Sequence, residues 1–334
     1  MNSPLIRLAQ VGCGYWGPNL LRNFSTIENC CIKYLVDTSE ERRAFVKKRF
    51  PGVTAIADID TIWNDPEIDG VIIATPAGTH FELAQKALRS RKHVFVEKPL
   101  AMHVAEVDIL NELAHPSQKV VMVGHTFLYN NAVRFVKNYI DRGDLGEIRY
   151  IYSQRLNLGR IRSDIDALWN LAPHDISIIQ YWLNDPEPLD IRRHGMAYMQ
   201  PGVDDVVFMN ITYPNKVMAN IHVSWLDPQK VRKMIVVGSR KMAVYDDVAE
   251  QKVTIFDKGI DVKANLGERM DFDLPGSISS GYRSGDIHIP NIALPEPLRV
   301  EAQHFADCIR TGTEPITGIA HARKVVRILE QASS

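Results

Sequence analysis

The stretch "LIRLAQVGCGYWGPNLLRNF", residues 5–24, sets an apolar run, a glycine-spaced turn and a helix start in immediate succession. Gly12, Gly14 and Gly17 fit the spacing G-x-G-x-x-G, and Pro18 stands where a helix should begin, a position that tolerates its missing N–H. A second apolar run, "CIKYLVD", closes on Asp37, 20 residues beyond Gly17 (37 − 17 = 20). In such a unit the first glycine permits the tight turn, the second lets backbone approach a pyrophosphate, and the third lets the helix pack closely. The helix start then offers N–H groups and a partial positive charge to phosphate oxygens. The turn, with Tyr15 and Trp16 inside it, therefore reads as a dinucleotide-phosphate site rather than a plain strand-to-helix connection. Asp37, with Thr38 beside it, is expected to accept from the ribose hydroxyls and to repel a 2′-phosphate, which favours NAD over NADP. Arg42 and Arg43 are assigned to the exposed face of the next helix.

The same rhythm continues through the first third of the chain. "GVIIAT" leads to "THFELAQKALRS", "HVFVEKP" to "VAEVDILNELA", and "KVVMVGH" follows. Continuous apolar strands between amphipathic helices predict a doubly wound parallel sheet covered on both faces, over residues 1–127. Then the pattern changes. A helix "NAVRFVKNYIDRG", a strand "EIRYIYSQRL" and a helix beginning near Pro173 precede "DVVFMNITY", "KVMANIHVSWL", "RKMIVVGS", "KMAVYD" and "KVTIFDK". Strands joined by short turns predict a second α/β domain, residues 128–334, with a large, open, mostly antiparallel sheet. The Gly-, Ser- and Pro-rich residues 275–297 are expected to form a long excursion.

A length of 334 residues suits two cores better than one. With 39 Lys plus Arg against 40 Asp plus Glu, the chain has no net field to draw nucleic acid or an anionic membrane surface. "MNSPLIRLAQ" does not read as a secretion signal, and no apolar run approaches the roughly 20 residues of a membrane span. Cys13, Cys30, Cys31 and Cys308 form no spaced framework, so a reducing, cytoplasmic setting is expected. No C-x-x-C pair or H-E-x-x-H occurs, so no metal site is expected, and neither a P-loop nor a hydrolase elbow is present.

"HVFVEKP" ends its strand on Glu97, Lys98 and Pro99. Carboxyl ends of strands in such sheets face the ligand crevice, and a lysine there loses water, which moves its pKa toward a useful range. With "VGCGYWG", "IATPAGTHFELA" and "VFVEKPLA" in register, the chain resembles, over its whole length, the Gfo/Idh/MocA family of sugar and inositol oxidoreductases. The resemblance implies a Rossmann domain, a second α/β domain whose open sheet often serves as an oligomer interface, and hence a homodimer or homotetramer. It also implies tightly held NAD(H) and hydride transfer at a sugar carbon. Thr75, Pro76 and His80 are then expected near the nicotinamide, with Glu97 and Lys98 beside them.

The family's second signature is an Asp and a His four residues apart on a helix of the second domain. In "WNLAPHDIS" His174 takes the histidine position, and Asn170 stands where aspartate is usual. A spacing of four puts both on one helical face. The departure removes a charge and leaves His174 as the acid/base candidate, with Asp175 a lesser helper. His174 would take the proton from an alcohol while Lys98, as ammonium, stabilises the developing alkoxide, or the two exchange roles. Trp169 would wall the nicotinamide pocket.

"RLNLGRIRSD" supplies Arg155, Asn157, Arg160 and Arg162, a cluster suited to the diphosphate of a nucleotide sugar, or else a solvated basic loop. "GHTFLYNNAV" supplies His125, Tyr129 and Asn130 for hydroxyl and amide contacts, or as structural hydrogen-bonding groups. "GHTFLYN", "LWNLAPHD", "HVSWLDP" and "VVGSRKMAVYDD" resemble the nucleotide-sugar branch of the family. That implies oxidation of the C3 hydroxyl of UDP-N-acetylglucosamine to the 3-keto sugar, which an aminotransferase converts to a 3-amino sugar for lipid A. UDP-N-acetylglucosaminuronate, in O-antigen synthesis, is the alternative substrate. A non-catalytic NAD sensor would dispense with Lys98 and His174, and a glycosidase with resident NAD would act without net NADH release.

Overall fold

The computed structural model describes residues 4–159, 161–260 and 282–333. Six strands, β1 (Ile6–Val11), β2 (Cys30–Val36), β3 (Thr54–Ile56), β4 (Gly70–Ile73), β5 (His93–Val96) and β6 (Val121–Val123), form an all-parallel sheet ordered β3-β2-β1-β4-β5-β6. Helices α1 (Gly17–Phe24), α2 (Glu40–Arg49), α3 (Asp60–Asn64), α4 (His80–Arg89) and α5 (Val104–Ser117) make the crossovers. Val71, Ile72, Ile73, Val94, Phe95 and Val96 are fully buried, as strands covered on both faces must be. The order reverses between β1 and β4, so their carboxyl ends flank the point where such sheets bind ligands.

The second sheet has eight strands in the order β14-β13-β12-β11-β7-β10-β9-β8. They are β7 (Ile148–Leu158), β8 (Asp190–Met196), β9 (Val206–Thr212), β10 (Met218–Ser224), β11 (Leu226–Gly238), β12 (Met242–Asp246), β13 (Val253–Ile260) and β14 (Tyr282–His288). Among the described residues only the β7–β10 pair of this sheet is parallel. Helices α6 (Asn131–Asp141) and α7 (Ala167–Leu183) pack against one face. Val207, Met209, Ile211, Ala219, Ile221 and Val223 point that way and are fully buried, while the alternate residues Phe208 and Met218 are each 46% exposed. The period of two is that of a sheet with one open face.

The boundary between units differs from the expected 1–127 and 128–334. One compact unit comprises Met1–Asn130 together with Leu294–Ala332, and the other spans Asn131–Ala293. Helices α8 (Pro297–Thr311) and α9 (Ile319–Ser333) thus return to the parallel-sheet unit. The cause is apolar. Phe305 of α8 meets Phe24 of α1 and Phe95 of β5 edge-on, with ring centroids 6.1 and 5.7 Å away, and Phe24 and Phe95 lie 5.4 Å apart. Each such pair contributes about 0.5–1.5 kcal/mol beyond its buried area.

Two further expectations shift. Helix α7 begins at Ala167 rather than near Pro173, because Asp166 caps it by accepting from the Trp169 N–H at 2.9 Å; Pro173 sits inside the helix. Of the expected excursion 275–297, residues 275–281 lie outside the described residues, and 282–288 form β14 against β13. Among the described residues no helix is long and apolar enough to cross a membrane.

Candidate active site

At the carboxyl end of β1, Gly12 has φ +90°, and a Cβ there would stand 2.5 Å from the Ala74 carbonyl oxygen. A Cβ on Gly17 would come within 2.8 Å of the Gly12 oxygen, so both positions require glycine. Gly14 is different: a Cβ there meets nothing within 4 Å. Gln10, buried near the carboxyl end of β1, donates from Nε2 to the carbonyls of Gly12 (2.9 Å) and Gly17 (3.0 Å), pinning both ends of the turn. No side chain caps the start of α1. At the end of β2, Asp37 accepts from the Cys13 N–H (2.7 Å) and the Ser39 N–H (2.8 Å), which aims its carboxylate at the turn. Arg42 is exposed as expected, but the Arg43 guanidinium turns back onto the carbonyls of Asp37 and Thr38, 2.8 Å from each. Open room over Gly14, an uncapped helix start and an anchored carboxylate fit a pyrophosphate and its ribose.

The loops after β4 and β5 lie beside this turn in the sheet order. Glu97 accepts hydrogen bonds from the Trp16 indole and from the Lys98 backbone N–H. Its carboxylate rests on Gly124, where a Cβ would stand 3.0 Å from Oε1. Burial pushes the Glu97 carboxyl up to about 7, with the Lys98 charge and these hydrogen bonds working the other way. Lys98 itself follows Glu97 at the end of β5, half-buried, in the expected strand-end position. Thr75 and Pro76 follow β4, and Thr75 Oγ1 lies 2.7 Å from Thr79 Oγ1.

Tyr15 is 84% and Trp16 40% exposed on the turn. His80 is held between the loops after β4 and β5. It is 1% exposed, with Nδ1 2.7 Å from the Pro99 oxygen and Nε2 2.9 Å from the Thr75 oxygen, so it ties the β4 and β5 loops together.

His125, Tyr129 and Asn130, expected as substrate contacts or as structural hydrogen-bonding groups, are all buried. Tyr129 points inward, its hydroxyl 3.1 Å from Thr317 Oγ1, because the returning C-terminal segment supplies a polar partner inside the unit. The His125 ring meets His321 edge-on at 5.5 Å. Burial, with His321 and Lys98 adding, pushes its pKa well below the usual imidazole range, so it is neutral.

In the second unit Asn170 and His174 lie four residues apart on one face of α7, both half-buried in a mostly buried helix. Trp169 is 8% exposed and packs as core. The arginines of the expected cluster are placed differently: Arg162 lies in the irregular chain between β7 and α7. Arg155 lies within β7, 5% exposed, and grips Asp175 through Nε (2.7 Å) and Nη2 (3.1 Å); its fork is spent internally, and so is the Asp175 carboxylate. Arg162 closes on Asp164 through Nε (2.8 Å) and Nη2 (2.5 Å). Arg160 lies outside the described residues, and Asn157 is half-buried in β7.

With the turn, the Lys98 strand end and the α7 histidine in place, comparison with known proteins is decisive on family. An oxidoreductase family model, described as an NAD-binding Rossmann fold, matches residues 6–125, and the Gfo/Idh/MocA C-terminal domain matches 133–244. The chain belongs to the Gfo/Idh/MocA oxidoreductase family. Its first unit is accordingly an NAD-binding Rossmann domain, and the chain is an oxidoreductase. Over 247 residues it is 28% identical to UDP-N-acetylglucosamine 3-dehydrogenase of Acidithiobacillus ferrooxidans, spanning 72% of this chain and 74% of that one. Over 142 residues it is 25% identical to myo-inositol 2-dehydrogenase of Thermotoga maritima, spanning 42% of each. A crystal structure from Magnetospirillum magnetotacticum superposes with a TM-score of 0.81 at 27% identity, covering 98% of this chain and 99% of that one.

Two residues of the site escaped the sequence reading. Gln10 carried a signal, a polar residue inside an otherwise apolar strand. Glu301 carried none, because only the return of α8 brings it to Thr126, whose hydroxyl donates to Glu301 Oε2 at 2.7 Å.

Proposed function

We propose that this chain oxidises the C3 hydroxyl of UDP-N-acetylglucosamine to the 3-keto sugar. The observation that carries the chemistry is Lys98 at the carboxyl end of β5, its backbone fixed by the Glu97 carboxylate that the Trp16 indole also holds. The substrate reading rests on the likeness to the Acidithiobacillus enzyme. Bound NAD supplies the hydride acceptor, held by the glycine turn and by Asp37. The Lys98 ammonium lowers the alcohol's pKa and stabilises the developing alkoxide. His174 takes the departing proton, with the Asn170 amide rather than a carboxylate one turn away. The chain works in the cytoplasm as a homodimer or homotetramer. Its product, a ketone next to an acetamido carbon, passes to an aminotransferase that makes a 3-amino sugar for lipid A.

The test is NADH absorbance with purified protein, NAD and a panel of UDP-sugars, free glucose and myo-inositol, with an aminotransferase added to pull the equilibrium. UDP-N-acetylglucosamine is expected to give the highest kcat/KM, and Lys98→Ala and His174→Ala to abolish turnover while NAD still binds. The likeness to the inositol enzyme supplies the second reading. Turnover of inositol with none of any nucleotide sugar would establish that reading instead.

A further inference from the structure

Glu301 is fully buried on α8, in the segment that returns to the parallel-sheet unit. Its Oε2 accepts from Thr126, but its Oε1 is buried without a hydrogen-bond partner. Glu97 Oε1 is in the same condition. Residues 124–126 join the two acids: the Glu97 carboxylate rests on Gly124, and Glu301 is bonded to Thr126. A buried polar atom left unsatisfied costs about 1–3 kcal/mol. Two ionised carboxylates are acceptors only and cannot satisfy each other, whereas one proton between them turns one oxygen into a donor. Like charges sharing a dry site favour that solution.

We propose that Glu301 is a positioning residue that shares one proton with Glu97, directly or through one water. The acid on α8 thereby fixes the carboxylate to which the Trp16 indole and the Lys98 backbone are bonded. Burial, with repulsion from Glu97, keeps the Glu301 carboxyl well above the usual carboxylate range, and the Thr126 hydrogen bond opposes this only in part. The other titratable groups around the pair are Lys98, whose charge favours an ionised Glu97, and the neutral His125 with His321 edge-on to it. At neutral pH Glu301 therefore carries the proton, and Glu97 is the member that titrates. The functional weight of the pair rests on Lys98 acting as proposed above; the proton itself does not.

Infrared spectroscopy of the carboxylic-acid C=O stretch, on the full chain at neutral pH without substrate, tests this. The wild type is expected to show an acid band that Glu301→Gln, which keeps the shape, has lost. Identical bands in the two proteins would overturn the proposal. The pH profile of kcat separates positioning from mere packing. Glu301→Leu, which removes a donor to the Glu97 carboxylate, is expected to move the acid limb to higher pH, and Glu301→Gln to restore it. A limb that moves lower in Glu301→Leu, or stays in place, contradicts the shared proton, because an ionised Glu301 would have the opposite effect. A chain that oxidises no sugar would sink the proposed reaction, while the infrared result would still decide the proton.

Discussion

In the parallel-sheet unit two acids, the half-buried Glu97 and the fully buried Glu301, each keep one buried oxygen without a partner, and the bonds they do accept come from an indole, a backbone N–H and a hydroxyl. In the eight-stranded unit Asp175 is as buried as Glu301, yet both its oxygens are taken by the two-pronged grip of Arg155. The first arrangement leaves the protonation state of Glu97 movable near neutral pH, which suits the proton chemistry proposed for the neighbouring lysine. The second neutralises its charges in place and reads as structural. Burial alone therefore does not mark a reactive acid; what answers its charge does.

The largest effect expected from this contrast is at the ion pair. Asp175→Ala removes the carboxylate that grips the buried Arg155, a loss of about 3–5 kcal/mol in stability by chemical denaturation, whereas Arg155→Met with Asp175→Leu recovers most of it. If Arg155 instead held a substrate diphosphate, the double variant would be stable but would show a greatly raised KM, and the contrast would fail. Next comes Gly12→Ala. The φ of +90° and the carbonyl at 2.5 Å force strain on the turn, about 1–3 kcal/mol of stability with loss of NAD binding by calorimetry. Asp37→Ala removes a charged acceptor and is expected to cost about 1.5–3 kcal/mol of NAD affinity while narrowing the preference over NADP. An unchanged NAD/NADP ratio would detach Asp37 from the ribose.

The smallest effect is in the pH dependence of stability. Glu97 keeps its proton up to about 7 in the folded chain, against 4.5 for an ordinary glutamate. The folded state thus binds more protons than the unfolded state between those values, and stability falls as pH rises through that window, then levels off. His93 works against it. Burial and then Lys119 lower its pKa to about 4 from 6.5, so its contribution is present above 6.5 and is lost as pH falls toward 4. The two slopes oppose each other in the wild type. Glu97→Gln should expose the His93 slope alone, as a steeper loss of stability on acidification in denaturant titrations.

Much of the first unit was legible because its signals are local. The glycine spacing, Pro18, Asp37 and the apolar strands mark the turn within a few dozen residues, and the structure requires glycine at positions 12 and 17. Antiparallel pairing in the second unit followed equally from strands joined by short turns. What was not legible depends on long-range return of the chain. Phe305 and Glu301 look like ordinary residues of an amphipathic helix until α8 docks beside Phe24 and Phe95. The arginine cluster misled for a related reason: "RLNLGRIRSD" shows three guanidiniums close in sequence, but Asp175, which occupies Arg155, lies on a helix twenty residues away. Local sequence displays a charge without displaying what answers it.

The central claim is hydride removal from C3 of a nucleotide sugar, with Lys98 beside the reacting hydroxyl. Its most direct test is a single turnover of UDP-N-acetylglucosamine deuterated at C3, with mass analysis of the nicotinamide product. The account predicts deuterium on the reduced nicotinamide ring with wild-type protein and none with Lys98→Ala. Reduced cofactor that carries no label, or labelled cofactor formed undiminished by Lys98→Ala, would contradict it.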